Sequence, residues 1–284
     1  MDMKDTILFG DCRKTISTIT EPVKMCVTSP PYYGLRNYGD EENQIGMEES
    51  PEKYIEQLVE VFRSVRDVLT DDGILWVNIG DTYYNYRSDG NYPKQTVSKT
   101  NQDLPSFSPV RGNKLEGYKS KDLIGIPWML AFALRKDGWY LRQDIIWSKP
   151  NPMPESVRDR CTKSHEYIFL LSKSKNYYFD VDSIKESTID GKGLKRKKSV
   201  WNIKTKPYKD AHFAVYPPEL IEPCIMSGSQ KGDIILDPFM GSGTTGMVAK
   251  SLGRHYIGCE LHESYGKLIQ NRVSEYTINL ENFV

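Results

Sequence analysis

Val23-Lys24-Met25-Cys26-Val27 is a short apolar run rich in β-formers, which predicts a buried strand, and it runs straight into Thr28-Ser29-Pro30-Pro31-Tyr32-Tyr33. Two consecutive prolines have no N–H to give to a β-ladder, so the strand must stop there. Pro31 also biases Pro30 away from helix, and the chain leaves the sheet stiff and extended. The predicted outcome is a rigid shelf at the carboxyl end of a strand. It offers the Ser29 hydroxyl, the carbonyls of Pro30 and Pro31, and the aromatic face of Tyr32. An amino group on a flat ring can donate to such oxygens while the ring lies on Tyr32. On these residues alone, a proline-rich surface loop is an equal alternative.

A second stretch shifts the balance. Asp233-Ile234-Ile235-Leu236-Asp237 reads as a strand, Pro238 to Gly246 as a turn of small residues, and Thr244 to Leu252 as a helix start. A strand–turn–helix of this kind places glycines where backbone must approach a ligand and free N–H groups at a helix N-terminus. Gly241, Gly243 and Gly246 also satisfy the G-x-G-x-x-G spacing of nicotinamide-dinucleotide sites. Against that reading, the strand ends in Asp-Pro-Phe rather than in the first glycine, and the proline shelf has no task in hydride transfer.

Together the two stretches resemble the S-adenosylmethionine-dependent amino-methyltransferases of DNA, the N4-cytosine/N6-adenine family. That family carries Ser/Asp/Asn-Pro-Pro-Tyr at a catalytic strand end and Asp-Pro-Phe-x-Gly-Ser-Gly-Thr-Thr at the cofactor. The shelf precedes the cofactor turn here, as in the permuted β class. The resemblance covers most of the chain except roughly 83–120 and 185–205. It implies an α/β fold: a Rossmann-like, mostly parallel sheet with helices on both faces, an antiparallel edge hairpin and a circularly permuted motif order. On this reading 1–82, 121–184 and 206–284 form the catalytic and cofactor-binding domain, and 83–120 and 185–205 are candidate target-recognition insertions.

The chain has 284 residues, enough for one large α/β domain, and a formal net charge of zero, so any basic footprint for nucleic acid must be local. Five cysteines are scattered without C-x-x-C spacing, which predicts reduced thiols with neither disulfide frame nor zinc. No apolar run approaches the ~18 residues of a membrane span, and a cytoplasmic protein is the expectation.

Thr6-Ile7-Leu8-Phe9 is a strand stopping at Gly10-Asp11, so Asp11 stands either at a ligand edge or as the cap of a helix over Cys12–Ile19. Residues 52–69 repeat apolar side chains at helical spacing, with Asp71-Asp72-Gly73 as the predicted helix end. Ile74–Ile79 is the next strand, with Asp81 just beyond it as a pocket or turn residue. From Tyr83 to Ser120 the chain interleaves tyrosines with cations, which suits a nucleic-acid surface or a disordered loop. Asp122–Lys136 reads as a helix, and Trp139–Trp147 and Glu166–Leu171 as an antiparallel strand pair. The loop between them, Pro152 to His165, corresponds to one that lies beside the target base in relatives. Lys192–Lys198 is a basic run, a solvated face or a phosphate contact. His255–Glu260 is a strand ending in an acid able to accept both ribose hydroxyls, or in a helix-start acid. The closing helix is expected over Ser264–Tyr276.

The resemblance then assigns roles. Ser29, Pro30, Pro31 and Tyr32 are the catalytic shelf, with Ser29 and the Pro30 carbonyl accepting from the amine and Tyr32 stacking. S-adenosyl-L-methionine would be held by Asp237, Pro238, Phe239, Gly241, Ser242, Gly243, Thr244, Thr245 and Glu260. Asp11 would lie near its adenine, and His212 and Phe213 along its methionine part. Arg36, Arg158, Lys195, Arg196, Lys197 and Lys198 are candidate contacts to double-stranded DNA. No metal is needed, and base flipping is implied. Pro223-Cys224 sits in a predicted helix and reads as core rather than as a ring-carbon nucleophile. Ser29 at the first motif position favours cytosine N4 over adenine N6. An RNA or protein-amide methyltransferase, and a DNA-binding module that does not turn over, stay open. So do a homodimer and a cognate restriction endonuclease.

Overall fold

The computed structural model describes residues 2–35, 43–84, 114–188, 190–206 and 216–281. Its main sheet contains β1 (Thr6–Phe9), β2 (Val23–Thr28), β3 (Leu69–Ile79), β4 (Tyr140–Ser148), β5 (His165–Ser172), β8 (Val200–Asn202), β9 (Ile234–Asp237) and β10 (His255–Glu260). They lie in the order β1-β10-β9-β2-β3-β5-β4-β8. Strands β1, β10, β9, β2 and β3 are mutually parallel. Strand β5 runs antiparallel to both β3 and β4, and β8 joins β4 in parallel at the edge. This is the mostly parallel sheet with an antiparallel hairpin that the motifs led us to expect. A small separate ribbon pairs β6 (Glu186–Ser187) with β7 (Leu194–Lys195).

Alternation along the strands builds one core on each face. In β2 and β3, Val23, Cys26, Leu75 and Val77 face one core, while Met25, Val27, Ile74 and Trp76 face the other. The first core is covered by α1 (Cys12–Thr15), α2 (Pro51–Val68) and α3 (Ile126–Lys136); the second by α4 (Pro218–Gly228), α5 (Thr244–Ser251) and α6 (Gly266–Glu281). Helix α2 starts well because Ser50 caps it, accepting from the Lys53 N–H, and Pro51 occupies the first turn. Its stripe of Tyr54, Leu58, Phe62 and Val65 is fully buried. Cys224 is likewise core, inside α4.

Three boundaries differ from expectation. Helix α2 ends at Val68 rather than at Asp71-Asp72-Gly73, because Leu69 turns extended and pairs with Val23. Strand pairing and burial of Leu69 outweigh the turn signal, and Gly73 serves inside the strand: a Cβ there would lie 2.8 Å from the Thr70 carbonyl oxygen. Helix α3 begins at Ile126 rather than Asp122, since Gly125 precedes it at φ +89° and Pro127 fills the first turn. Residues 200–202, read as part of a polar insertion, are sheet, and Trp201 is buried in the second core. Likewise Tyr84, grouped with surface aromatics, is 1% exposed and receives the Leu115 N–H.

The parallel strands end on one edge of the sheet. Because β5 runs the other way, its beginning, not its end, arrives at that same edge beside the end of β4. Open α/β sheets hold ligands there.

Candidate active site

A cleft of about 930 Å³ runs along this edge, lined at one end by Asp11 and Glu260, in the middle by Phe239 and the shelf, and at the other end by Glu166 and Lys163.

At the β10 end, Glu260 is buried and accepts the Gly241 N–H at 2.9 Å and the His262 N–H at 3.1 Å. Burial pushes its carboxyl up to about 7, against the pull of those two backbone donors. Each oxygen retains acceptor capacity. Phe239 exposes ring surface to the cleft beside it. Asp11 fills both of the roles open for it: it lines the cleft and caps α1, accepting from the Arg13 N–H at 3.0 Å. Burial would raise its carboxyl, but the Arg13 guanidinium, bonded to both oxygens, holds it below the usual range.

The cofactor turn divides in two. Pro238, Phe239 and Gly241 line the cleft. Asp237, Ser242, Gly243, Thr244 and Thr245 lie behind its wall. Asp237 is 1% exposed and accepts from Thr28 Oγ1 (2.6 Å), the Phe239 N–H (3.0 Å), Thr245 Oγ1 (2.5 Å) and Tyr216 Oη (3.2 Å). Those four groups surround both carboxylate oxygens, Tyr216 and Thr245 also bonding to each other at 2.5 Å. Ser242 is bonded by Arg272 of α6. A Cβ on Gly243 would lie 2.8 Å from Ile269 of α6, and one on Gly246 2.7 Å from Met240. The second glycine of a dinucleotide fingerprint must face a pyrophosphate. Gly243 instead faces a helix, which removes the physical basis of the nicotinamide reading.

At the shelf, Ser29, Pro30, Pro31 and Tyr32 all line the cleft. The Pro31 carbonyl, expected to be free, accepts the Tyr54 hydroxyl at 2.8 Å. Among the described residues no donor reaches the Pro30 carbonyl. Tyr32 donates its hydroxyl to Glu166 Oε2 at 2.6 Å. Burial, with the Glu166 carboxylate, drives its phenol pKa well up, while the Ser29 hydroxyl works against the rise.

Sequence reasoning did not single out Asn78, Lys149 and Glu166, which line the same cleft as Lys163 of the Pro152–His165 loop, nor Tyr216 as a lining residue. Their signal was a polar residue at the site end of an otherwise apolar strand, as in Ile74–Ile79 and Glu166–Leu171. Lys163 donates to the Asp81 carbonyl at 2.6 Å, and burial pushes its ammonium pKa down. Asp81 lines the cleft and also caps α3, its Oδ1 accepting the Gly125 and Ile126 N–H groups at 3.0 Å each. The loop from Pro152 to His165 is braced: Arg160 pairs with Glu155 and lies 3.8 Å over the Tyr83 ring, and Asp159 meets Lys121 at 2.6 Å.

Of the candidate phosphate contacts, Arg158, Arg196 and Lys198 are exposed. Lys195 and Lys197 flank Glu186 at 3.8 and 4.0 Å, and Lys197 also lies over Trp201. Arg36, His212 and Phe213 lie outside the described residues.

A family model described as DNA methylase matches residues 23–271. The Type II methyltransferase M.SmaI of Serratia marcescens is 51% identical over 269 residues, covering 94% of this chain and 90% of that protein. The Type II methyltransferase M.Cfr9I of Citrobacter freundii is 48% identical over 276 residues, covering 97% and 89%. Among solved structures, the PvuII DNA methyltransferase, described as cytosine-N4-specific, matches with a TM-score of 0.68 at 18% identity over 94% of this chain and 85% of that one. TTHA0409 of Thermus thermophilus, solved in complex with S-adenosyl-L-methionine, matches with a TM-score of 0.64 at 23% identity, covering 95% and 93%. At those identities the two structures speak for the fold. The family match spans the shelf, the cofactor turn and the strands that carry them, and the chain therefore belongs to the DNA methylase family, as an amino-methyltransferase.

Proposed function

We propose that this chain is a site-specific DNA methyltransferase that moves a methyl group from S-adenosyl-L-methionine to N4 of a cytosine flipped out of double-stranded DNA. The observation that carries the reading is that one cleft holds both halves of the reaction: Ser29, the Pro30 carbonyl and Tyr32 at one part, Phe239, Gly241 and Glu260 at the other.

The cleft suits the cofactor on its own chemistry. Glu260 has acceptor capacity for a ribose diol, and the Phe239 ring offers a π-face to a sulfonium. Gly241, at φ +53°, has no atom closer than 3.8 Å to the position of a Cβ, so that part of the turn is open. When bound, S-adenosyl-L-methionine supplies an electrophilic methyl group.

The exocyclic amine of cytosine is a poor nucleophile because its lone pair is delocalised into the ring. Ser29 Oγ and the Pro30 oxygen accept its hydrogens, draw them from the ring plane and localise the pair. Tyr32 holds the ring face. Alignment within the cleft then meets much of the barrier; the methyl–sulfur bond would break as the methyl–nitrogen bond forms, a neutral thioether would leave, the surplus amine proton would pass to water, and no covalent enzyme intermediate is required. A base inside a duplex cannot reach a cleft at the end of a sheet, so it must leave the stack. The exposed Arg158, Arg196 and Lys198 are free of the surface ion pairs that hold Lys195 and Lys197, and we take them as the phosphate contacts.

Serine at the first motif position supports cytosine, as does the cytosine-N4 specificity in the description of the PvuII neighbour. The Type II relatives support a partnership with a restriction endonuclease of the same recognition sequence. Nucleoside mass spectrometry on DNA from cells expressing the protein, beside Ser29→Ala, tests the reading. N4-methylcytosine present in the first and absent in the second is expected. N6-methyladenine would keep the shelf and change the base; no methylated base would sink the proposal.

A further inference from the structure

The shelf tyrosine is held more firmly than stacking alone requires. Gly80 lies against its ring so closely that a Cβ there would sit 2.6 Å from Tyr32 Cε2. The hydroxyl donates to Glu166 Oε2 at 2.6 Å, and Asn78 Nδ2 donates to the same oxygen at 2.9 Å. Lys149 forms an ion pair with Oε1, and its ammonium lies 4.2 Å over the Trp147 ring. The side chains of Glu166 and Lys149 are only 14% and 17% exposed. Ion pairs withdrawn from water add little net stability, because desolvation offsets the attraction. Stability therefore does not account for building one here. The contacts do something else: with one side of the ring against Gly80 and its hydroxyl tethered, the orientation of the open face is set before any base arrives.

We infer that Glu166 is a positioning residue for methyl transfer: its carboxylate, held by Lys149 and Asn78, fixes the Tyr32 ring as the platform that receives the flipped base. The inference rests on the function proposed above. Glu166 acts through Tyr32 and touches no reacting atom. Lys149 holds the second carboxylate oxygen, so the first stays turned toward the phenol. Asn78 holds the carboxylate's direction from β3, across the sheet.

The test uses Glu166→Ala, Glu166→Gln, Tyr32→Phe and the double variant Glu166→Ala/Tyr32→Phe in single-turnover methylation, with DNA and S-adenosyl-L-methionine affinities measured separately. Glu166→Ala should slow transfer by about 10- to 100-fold, the scale of a misplaced reacting group, while both affinities stay within about threefold. Glu166→Gln, which still offers the phenol an acceptor, should recover most of the rate. Tyr32→Phe should lose a similar factor, and the double variant should lose no more than either single one, since both cut the same link. A second readout does not depend on turnover. With 2-aminopurine at the target position, the wild-type complex should show short-lived fluorescence from stacking on Tyr32, and Glu166→Ala a longer-lived component.

Additive losses, a loss confined to affinity, or unchanged fluorescence decay in Glu166→Ala would overturn the assignment. A glutamine variant no better than the alanine one would do the same. A wild type that methylates no DNA would sink the functional reading and this inference with it, whereas a methylating wild type matched by Glu166→Ala sinks the clamp alone.

Discussion

Asp237 and Glu260 end neighbouring parallel strands, paired so that Asp237 stands opposite Gly258, and both carboxyls are pushed up by burial. There the likeness stops. Asp237 receives donors from β2, α5, Tyr216 and its own turn, which surround both of its oxygens. Glu260 receives backbone N–H groups only, from Gly241, His262 and Leu261, and keeps acceptor capacity toward the cleft. The first bolts the shelf strand to the cofactor turn; the second is equipped to meet a ligand. A residue prominent in a motif can thus be there for the frame, and unfilled acceptor capacity is the better guide to what a ligand touches.

The contrast breaks first at Asp237. Asp237→Ala removes the shared acceptor of three hydroxyls and one N–H, and should lower unfolding free energy by about 1–3 kcal/mol in urea titration, the cost of leaving a buried donor unsatisfied. A loss under about 1 kcal/mol would mean that these donors find water and that Asp237 is no bolt. Glu260 should behave in the opposite way. Its folded carboxyl titrates at about 7 against 4.5 for an ordinary glutamate, so between those values the folded state binds the extra proton. Its stabilising contribution is complete below about 4.5 and is lost as pH rises through 7, a total on the order of 3 kcal/mol at 1.36 kcal/mol per pKa unit. Glu260→Gln should flatten that part of the stability–pH curve, while calorimetric titration shows S-adenosyl-L-methionine binding weakened about tenfold, the worth of roughly one charged hydrogen bond. A variant that keeps both the slope and the affinity would erase the distinction. The smallest effect belongs to the shelf: Tyr54→Phe frees the Pro31 carbonyl and should cost about 0.5–1.5 kcal/mol by thermal melting. No loss would show that this carbonyl, like that of Pro30, faces solvent or substrate.

Much of the frame was legible because it is written locally. Apolar runs at Val23–Val27, Ile74–Ile79, Ile234–Leu236 and His255–Cys259 became strands, and the prolines stopped β2 where their missing N–H groups required. The shelf and part of the cofactor turn could be placed at the cleft for the same reason. What could not be read is non-local. Glu166 meets Tyr32 across 134 residues and Asn78 across 88, and no window along the chain contains those pairs. Asp81 caps a helix 44 residues away. The enclosure of Asp237 likewise depends on Thr28, 209 residues before it. The short edge strand Val200–Asn202 was hidden in a polar run because three residues carry too little periodicity, and burial of Trp201 against the sheet decides it.

The reversed direction of β5 has an outcome for where this chain can vary. Lys149 follows β4 and Glu166 is the second residue of β5, so their ion pair, with the Lys149 N–H donating to the Ser164 carbonyl at 2.8 Å, ties the two roots of the intervening loop together. The segment is a closed lariat hung from the working edge of the sheet. Residues can be exchanged, added or removed beyond that knot without altering the register of either strand. The length and composition of the loop can therefore drift while the strands that carry the cleft keep their places.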